Sequence, residues 1–375
     1  MKKNFKNGEP TVRLLICAGG TGGGVYPALA VVEALRAAHP ACEVLWVGGE
    51  GGMEAGLIQR AGLPFHTIPA AGVHGVGLRA LPGNLLQLAR GLLAARRILR
   101  QFRPDVLFFT GGYLAVPMSL AGWRLPQLLY VPDIEPGLAL KALARLASRI
   151  AITVEETRRF LPRPELATVT GYPTRPGLKK WERAEARQKF GLQSDRPVLL
   201  VFGGSKGARS INMALLANLP TLLEKMQILH ISGELDWPVV QSQHQSLPSH
   251  LSVRYHPFSY LHEEMGAALA AADLAVSRAG ASSLGEFPLF GLPAILVPYP
   301  HAWRYQKVNA DYLKQHGAAL VLEDADLQQS LLPTIFSLLE DAPRLEKMRL
   351  AMQALSTPDA ASRLAVQIVA LTGKA

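Results

Sequence analysis

The sequence predicts an α/β protein built from two Rossmann-like domains, each with a doubly wound parallel sheet. Short apolar runs alternate with amphipathic segments throughout the 375 residues, which is typical of parallel strands covered by helices on both faces. A glycine run at residues 19–24 joins an apolar run to a helical segment. A similar strand–glycine–helix pattern recurs at residues 203–207, so each half of the chain opens in the same way.

The first half divides into strands and helices in strict alternation. Its predicted strands are 12–17, 43–47, 65–69, 105–109, 127–131, 149–153 and 166–170. Its predicted helices are 25–38, 52–61, 84–102, 113–122, 137–146 and 155–160. Since strand–helix–strand crossovers are right-handed, we expect consecutive strands to lie parallel.

The second half repeats the alternation and then becomes helical. Its predicted strands are 197–202, 227–231, 251–255, 273–276, 294–298 and 318–321, and residues 327–372 are predicted as two or three helices. Gly171, Pro173, Pro176 and Gly177 interrupt both periodicities. They predict a boundary between a first domain at 1–173 and a second domain at 174–357. Residues 358–375 are predicted as a final helix that packs back toward the first domain.

Composition limits the class of protein. A content of 49% hydrophobic and 18% charged residues indicates a globular chain, and two cysteines are too few for a disulfide framework, which favours the cytoplasm. No stretch of the sequence is apolar over the length that a membrane-spanning helix needs, so no such helix is predicted. The net charge of +10 is explained equally well by anionic lipid or pyrophosphate ligands and by solubility. Nucleic acid is not an expected partner, because no recognised binding motif accompanies the charge.

The first glycine loop lacks the features of a common nucleotide motif. Its spacing differs from the dinucleotide fingerprint, Glu50 lies too far along the chain for ribose recognition, and no P-loop Lys-Ser or Lys-Thr pair follows. Glycines before a helix bring backbone N–H groups close to an anion. A tight structural turn is the alternative.

The later loops carry polar side chains at helix starts. Gly204, Ser205, Lys206 and Gly207 offer backbone N–H groups, a hydroxyl and an ammonium to a diphosphate, with a structural turn as the alternative. Glu286 suits ribose hydroxyls, unless it forms a capping box with Ser282 or Ser283.

Two further polar groups follow later strands. Gln306 and Asn309 can bond sugar hydroxyls, unless they are ordinary residues of a helix start. Asp324 and Asp326 are interpreted as a helix cap. Neither zinc-ligand spacing nor a serine-nucleophile elbow is present, so no metal and no cofactor are expected.

Taken in order, these motifs resemble family 28 glycosyltransferases of the GT-B fold, in which two Rossmann-like domains face each other across a cleft. The similarity covers nearly the whole chain. It is carried by the segments 19–24, 48–57, 104–106, 110–113, 169–175, 203–208, 277–280, Glu286, 291–294, Gln306 and Asn309.

The resemblance implies a division of labour between the domains. The second would bind the UDP-sugar, with Arg175 neutralising the diphosphate. The donor-binding residues it implies are Arg175, Gly204, Ser205, Lys206, Gly207, Ala281, Ser282, Glu286, Gln306 and Asn309. The first domain would bind a polyprenyl-pyrophosphate-linked acceptor. The acceptor-binding residues it implies are Gly20, Thr21, Gly22, Gly23, Gly24, Gly111, Gly112 and Tyr113.

This chain departs from the family pattern on the acceptor side. The family usually has histidine at the position of Gly24, His-Glu-Gln-Asn at residues 130–133, and Gly-Asn-Pro at residues 171–173. Asp133 is the candidate replacement base because it follows a strand end beside the first loop, and Glu135 is a weaker candidate. Alternatively, Asp133 is only a turn residue before Pro136.

The resemblance implies an inverting transfer of N-acetylglucosamine from UDP-N-acetylglucosamine to undecaprenyl-pyrophosphoryl-muramoyl-pentapeptide, in peptidoglycan synthesis. The alternatives are a related UDP-sugar transferase acting on diacylglycerol or another lipid, and a degenerate UDP-sugar-binding protein without turnover. An oxidoreductase with two Rossmann-like domains is a more distant alternative.

An anionic membrane surface is the other expected partner, with the protein peripheral on the cytoplasmic face. Leucines and arginines alternate over residues 78–100, and Trp123 and Arg124 extend this pattern. For residues 88–99 an amphipathic helix packed on its own sheet is the favoured alternative. The loop at 73–86 is therefore the preferred candidate for exposed apolar residues.

Overall fold

The computed structural model describes residues 12–19, 22–52, 54–69, 81–175, 177–204, 207–301 and 305–374. These residues divide into two compact units. The first unit holds the described residues of Met1–Pro132, Pro136–Pro173 and Asp359–Ala375. The second holds Asp133–Glu135 and the described residues of Thr174–Pro358.

The first unit is built on a parallel sheet. Its strands are β1 (Arg13–Cys17), β2 (Glu43–Gly49), β3 (Phe65–Ile68), β4 (Val106–Phe109), β5 (Gln127–Val131), β6 (Arg149–Ile152) and β7 (Ala167–Val169). Within the described residues these seven strands take the order β3-β2-β1-β4-β5-β6-β7. Its helices begin with α1 (Gly22–Ala38), α2 (Glu54–Arg60), α3 (Leu81–Phe102), α4 (Ala115–Ala121) and α5 (Leu138–Ala144).

The second unit repeats this architecture. Its strands are β8 (Val198–Phe202), β9 (Gln227–Ile231), β10 (Tyr255–Phe258), β11 (Leu274–Ser277), β12 (Ala294–Leu296) and β13 (Ala319–Val321). The described part of this unit forms a six-stranded parallel sheet in the order β10-β9-β8-β11-β12-β13. Its helices are α6 (Arg183–Lys189), α7 (Arg209–Ala217), α8 (Leu219–Lys225), α9 (Trp237–Gln245), α10 (Ser249–Ser252), α11 (Met265–Ala271), α12 (Glu286–Phe290), α13 (Tyr305–Gln315), α14 (Leu327–Leu339) and α15 (Ala342–Ala354).

Each sheet has a point where the strand order reverses. In the first unit β1 lies between β2 and β4, and in the second β8 lies between β9 and β11. Chains that leave such a pair of strands run in opposite directions, so a crevice opens at their carboxyl ends. The predicted α/β fold class is therefore confirmed, and both glycine loops begin at these reversal points.

The last helix, α16 (Ala360–Thr372), belongs to the first unit. It packs against α1, β4 and β5 through an apolar face that buries Leu364 and Ile368. Lys374 then forms an ion pair with Asp105 (Nζ–Oδ2 2.8 Å), just before β4. Residues far apart in sequence thus complete one sheet–helix layer.

One predicted strand starts too early. Of the predicted strand at 251–255, residues 251 and 252 end the short helix α10, residues 253 and 254 form a turn, and β10 begins only at Tyr255. Leu251 and Tyr255 are buried whereas Val253 is 61% exposed, so burial does not follow the alternation that a strand over these residues would require. The predicted helix at 155–160 is present with the same bounds and has 3₁₀ geometry, Glu155–Phe160. Residues 327–372 form three helices, within the predicted range.

No helix in the described part of the chain combines the length and apolarity required to cross a membrane.

A buried polar network ties β9 and β10 to α7 in the second unit. His230 contacts the hydroxyl of Tyr255 through Nδ1 (2.7 Å) and the side-chain oxygen of Asn212 through Nε2 (3.0 Å). The Asn212 amide N–H groups are donated to the Ser232 carbonyl and to Asp236, each at 2.8 Å. His230 Nε2 must therefore donate, and its Nδ1 accepts from Tyr255. The network holds the start of α7 against the turn that follows β9.

We expect this network to make stability depend on pH. Burial lowers the pKa of His230 from 6.5 to about 3, so the unfolded state binds its proton first as the pH falls. The contribution of His230 to the free energy of unfolding should fall by roughly 2 to 3 kcal/mol between pH 7 and pH 4.5. Urea unfolding at both pH values measures this loss.

His230→Gln should flatten the pH dependence by that amount, because it removes the titrating group. His316→Gln is the matched control, since His316 lies exposed on the surface of the same unit. Equal pH slopes for the wild type and His230→Gln would contradict the assignment.

Candidate active site

The first glycine loop and the loop after β4 lie side by side at the reversal point of the first sheet. Gly22, Gly23 and Gly24 form the first turn of α1, and Gly111 and Gly112 follow the adjacent strand β4. The structure therefore brings together the predicted acceptor-side glycines, and the neighbouring Tyr113 is 43% exposed. Gly20 and Thr21, also predicted here, lie outside the described residues.

Gly24 permits a close contact between these two loops. The Thr110 hydroxyl donates to the Gly24 carbonyl (2.9 Å), and a Cβ atom at position 24 would lie 3.0 Å from that hydroxyl oxygen. A larger side chain at position 24 would force Thr110 to move. A threonine hydroxyl therefore occupies the space beside Gly24, at a position where the family that the sequence resembles usually carries histidine.

Glu54 is a residue of this loop cluster that sequence reasoning missed. Its carboxylate is buried and accepts a hydrogen bond from the Gly49 N–H (2.8 Å). Cβ atoms at Gly19 and Gly52 would collide with the same carboxylate. The glycines that precede Glu54 in the sequence could have indicated this role. Glycines leave space for a buried carboxylate and allow backbone N–H groups to approach it.

Gly204 and Gly207 of the second glycine loop lie close together between β8 and α7. The Gly207 N–H donates to the Gly204 carbonyl (3.0 Å), and both glycines have positive φ angles, 76° and 87° respectively. A Cβ atom at Gly207 would collide with the Ser232 carbonyl, whereas one at Gly204 would meet nothing within 4 Å. Ser205 and Lys206, predicted to bind a diphosphate, lie outside the described residues.

Glu286 is a buried carboxylate paired with Arg175. It is the first residue of α12, 6% exposed, and its Oε1 lies 3.3 Å from Arg175 Nη2. Burial raises the pKa of Glu286, and the Arg175 guanidinium offsets part of that rise. The structure thus brings together two predicted donor-side residues as an ion pair, with Arg175 neutralising a carboxylate.

The capping-box alternative for Glu286 is wrong. The residue before α12 is Gly285, which has no side chain to cap with, and Ser283 donates instead to the Gly280 carbonyl (2.6 Å). Ala281 and Ser282 lie in a 3₁₀ turn, Ala281–Leu284, directly before the Glu286 helix. The structure therefore leaves the Glu286 carboxylate outside any helix cap.

The first two turns of α13 carry two predicted sugar contacts, Gln306 and Asn309, with different surroundings. Gln306 Oε1 accepts from the Tyr299 N–H (2.9 Å), which closes the loop after β12. Asn309 is fully buried and its amide donates to Asp133 Oδ1 (2.8 Å) and to the Ala279 carbonyl (3.1 Å). Contact between Asn309 and a sugar would therefore require one of these hydrogen bonds to break.

Asp133 and Glu135 belong to the second unit although they directly follow β5 in sequence. Asp133 is half-buried and Glu135 is buried. Burial raises the pKa of Asp133, and the Asn309 hydrogen bond offsets part of that rise. A carboxylate with a raised pKa and a defined hydrogen-bond partner is what general-base catalysis near neutral pH requires.

The interpretation of Asp324 and Asp326 as a helix cap is wrong. Asp326 precedes α14 without a side-chain capping bond. Asp324 instead pairs with Arg278 and accepts from the Ser210 hydroxyl (2.7 Å), and Arg278 also donates to Ser210 (2.8 Å). These side chains link α7 to the loops after β11 and β13. Groups of three or more His, Cys, Asp or Glu suited to a metal are absent from the described residues.

Comparison with protein families identifies the chain. Residues 14–152 match the glycosyltransferase family 28 N-terminal domain, and residues 198–364 match the glycosyltransferase family 28 C-terminal domain. The chain belongs to glycosyltransferase family 28. The predicted family and the predicted enzyme class, a glycosyltransferase, are thereby confirmed.

Relatives of this family 28 chain match it over almost its whole length. A protein from Roseiflexus sp. (strain RS-1), named UDP-N-acetylglucosamine–N-acetylmuramyl-(pentapeptide) pyrophosphoryl-undecaprenol N-acetylglucosamine transferase, is 43% identical, with 96% of this chain and 95% of that protein covered. A protein of the same name from Desulforudis audaxviator is 38% identical, with coverages of 97% and 99%. The crystal structure of Acinetobacter baumannii MurG is 26% identical with a TM-score of 0.73, and the coverages are 96% and 99%.

The second glycine loop gives a test with a matched control. Gly204→Ala should lower the free energy of unfolding by about 1 kcal/mol, because a left-handed conformation is strained for any residue with a Cβ atom. Gly207→Ala adds a collision with the Ser232 backbone and should lower it by at least about 3 kcal/mol. Calorimetric unfolding of both variants measures the difference, and equal losses would contradict the close approach of Gly207 to Ser232.

Proposed function

We propose that this chain transfers N-acetylglucosamine from UDP-N-acetylglucosamine to undecaprenyl-pyrophosphoryl-muramoyl-pentapeptide with inversion at the anomeric carbon. The observation that carries the proposal is the 43% identity, over 96% of the chain, to a relative whose name states this activity. The arrangement of polar groups at the carboxyl ends of both sheets supports it.

The second unit binds the donor in this proposal. Helix α7 begins at Arg209, just after the second glycine loop, and the backbone N–H groups at this positive end of the helix dipole suit a diphosphate. Glu286 accepts from the ribose hydroxyls, and Gln306 contacts the sugar. Arg175 lies 3.3 Å from Glu286, and in this proposal its charge serves both that carboxylate and the nucleotide diphosphate.

The first unit binds the acceptor diphosphate at the paired glycine loops after β1 and β4. Asp133 acts as the general base in this proposal. It takes the proton from the acceptor hydroxyl as that oxygen bonds to the anomeric carbon, and the bond from this carbon to the diphosphate breaks. UDP leaves with the electron pair, and positive charge near the diphosphate stabilises it.

Replacing the base tests this function directly. Asp133→Asn should lower kcat at least about 100-fold, within the range that one general base contributes, and leave the affinity for UDP-N-acetylglucosamine unchanged. Transfer of labelled donor to the muramoyl-pentapeptide lipid measures kcat, and calorimetry measures donor binding.

Each contrary outcome has a separate meaning. Failure of the wild type to bind UDP-N-acetylglucosamine or UDP-glucose would exclude a UDP-sugar transferase. Transfer to diacylglycerol alone would favour the related lipid glycosyltransferase. Tight donor binding without transfer to any acceptor would indicate a binding protein. Normal turnover by Asp133→Asn would reject Asp133 as the base.

We also propose that the outer surface of α3 and α4 contacts an anionic membrane on the cytoplasmic face. Apolar side chains that are about half exposed or more lie on these two packed helices and the turn after them: Leu86, Leu93, Leu120 and Trp123. Arg96, Arg100 and Arg124 line a depression next to Trp123, and Arg124 stacks over the Trp123 ring. Apolar groups with a basic rim suit a negatively charged bilayer. Of the predicted loop at 73–86, residues 73–80 lie outside the described residues, whereas residues 81–86 are helical and begin α3, so the loop prediction is wrong there.

A charge placed in this surface should weaken membrane binding. Leu93→Glu should lower the partition coefficient onto phosphatidylglycerol vesicles roughly tenfold, because burying one leucine contributes about 1.5 kcal/mol or more. Leu235→Glu, on the other unit and 83% exposed, is the matched control and should bind normally. Co-sedimentation measures both, and an equal loss in the two variants would contradict this surface.

A further inference from the structure

Asn309 is placed to hold Asp133 rather than to hold a ligand. Its side chain is fully buried near the start of α13, and every polar atom of its amide is used. Nδ2 donates to Asp133 Oδ1 (2.8 Å) and to the Ala279 carbonyl (3.1 Å), and Oδ1 accepts from the Ile134 N–H (3.1 Å). Two of these three bonds go to residues 133 and 134.

The orientation of this amide is determined by its partners. Rotating it by 180° would set its N–H groups against the Ile134 N–H and its oxygen against a carboxylate and a carbonyl, so all three hydrogen bonds would be lost. Serine or alanine at position 309 could not make the same set of contacts. The hydrogen bonds therefore require an amide of this length.

Only one carboxylate oxygen of Asp133 is used by this contact. Among the described residues Oδ2 makes no hydrogen bond, whereas Oδ1 is held by Asn309. None of the charged groups in the described residues contributes to the pKa shift of Asp133, whose causes are burial and the Asn309 amide. Burial therefore has the larger effect on the pKa of this carboxyl, and the neutral Asn309 amide is the one side chain that opposes it.

We propose that Asn309 is the positioning residue for the base, fixing Asp133 so that Oδ2 accepts the proton of the acceptor hydroxyl. This rests on the proposed function. Gln306, three residues earlier on α13, is the candidate sugar contact, and residues three apart share a helix face. One rigid helix then sets the position of the base and of the donor sugar together.

Asn309→Asp tests the proposal because it changes one donor group into an acceptor with almost no change in size. A second carboxylate beside Asp133 raises the pKa of the base, so the base ionises only at higher pH. We expect kcat to fall at least about tenfold, the KM for UDP-N-acetylglucosamine to change less than about threefold, and the midpoint of the kcat–pH profile to move upward. Gln315→Glu adds the same charge to the exposed end of α13 and should change none of these values.

The exchanged pair separates positioning from folding. In Asp133→Asn combined with Asn309→Asp, the amide at 133 donates to the carboxylate at 309, so the hydrogen bond is restored in the reverse direction. The thermal midpoint should return toward the wild-type value while turnover stays at least about 100-fold reduced, because position 133 no longer holds a base. This variant remains informative even if Asn309→Asp alone folds poorly.

Recovery of turnover by the exchanged pair would overturn the proposal. So would a kcat loss in Asn309→Asp that matches its unfolded fraction and leaves the pH midpoint unmoved. In parallel, transfer by the wild type is measured with the muramoyl-pentapeptide lipid and with diacylglycerol as acceptors. Absence of transfer by the wild type counts against the proposed function, whereas wild-type transfer with an unaffected Asn309→Asp counts against this inference alone.

Discussion

Close approach between backbone segments at the carboxyl ends of the strands is the constraint on which both units depend. At Gly207 the chain passes so near the Ser232 carbonyl that a Cβ atom would collide with it. At Gly24 the Thr110 hydroxyl reaches the backbone carbonyl (2.9 Å) for a similar reason. One contact lies in the first turn of α1 and the other lies just before α7, at the ends where these helices carry their unpaired backbone N–H groups.

The sequence is a good guide to features encoded locally. Alternating apolar runs predict the parallel strands because strands buried on both faces need continuous apolar residues. The predicted strand at 251–255 starts too early because Leu251, Val253 and Tyr255 alternate as a strand would, whereas Val253 is exposed in a turn. A one-dimensional pattern does not reveal which of three apolar residues faces a neighbouring layer.

The candidate site is predicted less completely because its contacts join distant residues. Asp133 and Asn309 are each recognisable as polar residues near strand ends, but they lie 176 positions apart and their hydrogen bond cannot be read from spacing. Asp324 gives a second example. The spacing of Asp324 and Asp326 suggests a helix cap, but in the structure Asp324 forms an ion pair with the distant Arg278. The sequence thus predicts which residues are polar and conformationally special, whereas tertiary packing determines which of their atoms are already used.

The position of α16 in the first unit bears on how the chain folds during synthesis. Its apolar face covers α1, β4 and β5, yet the ribosome must make the whole second unit before α16 emerges. At typical rates of translation this delay is roughly 10 to 40 s. Throughout that interval a nascent first unit would expose the apolar surface that Leu364 and Ile368 later bury, which makes it a natural client for chaperones.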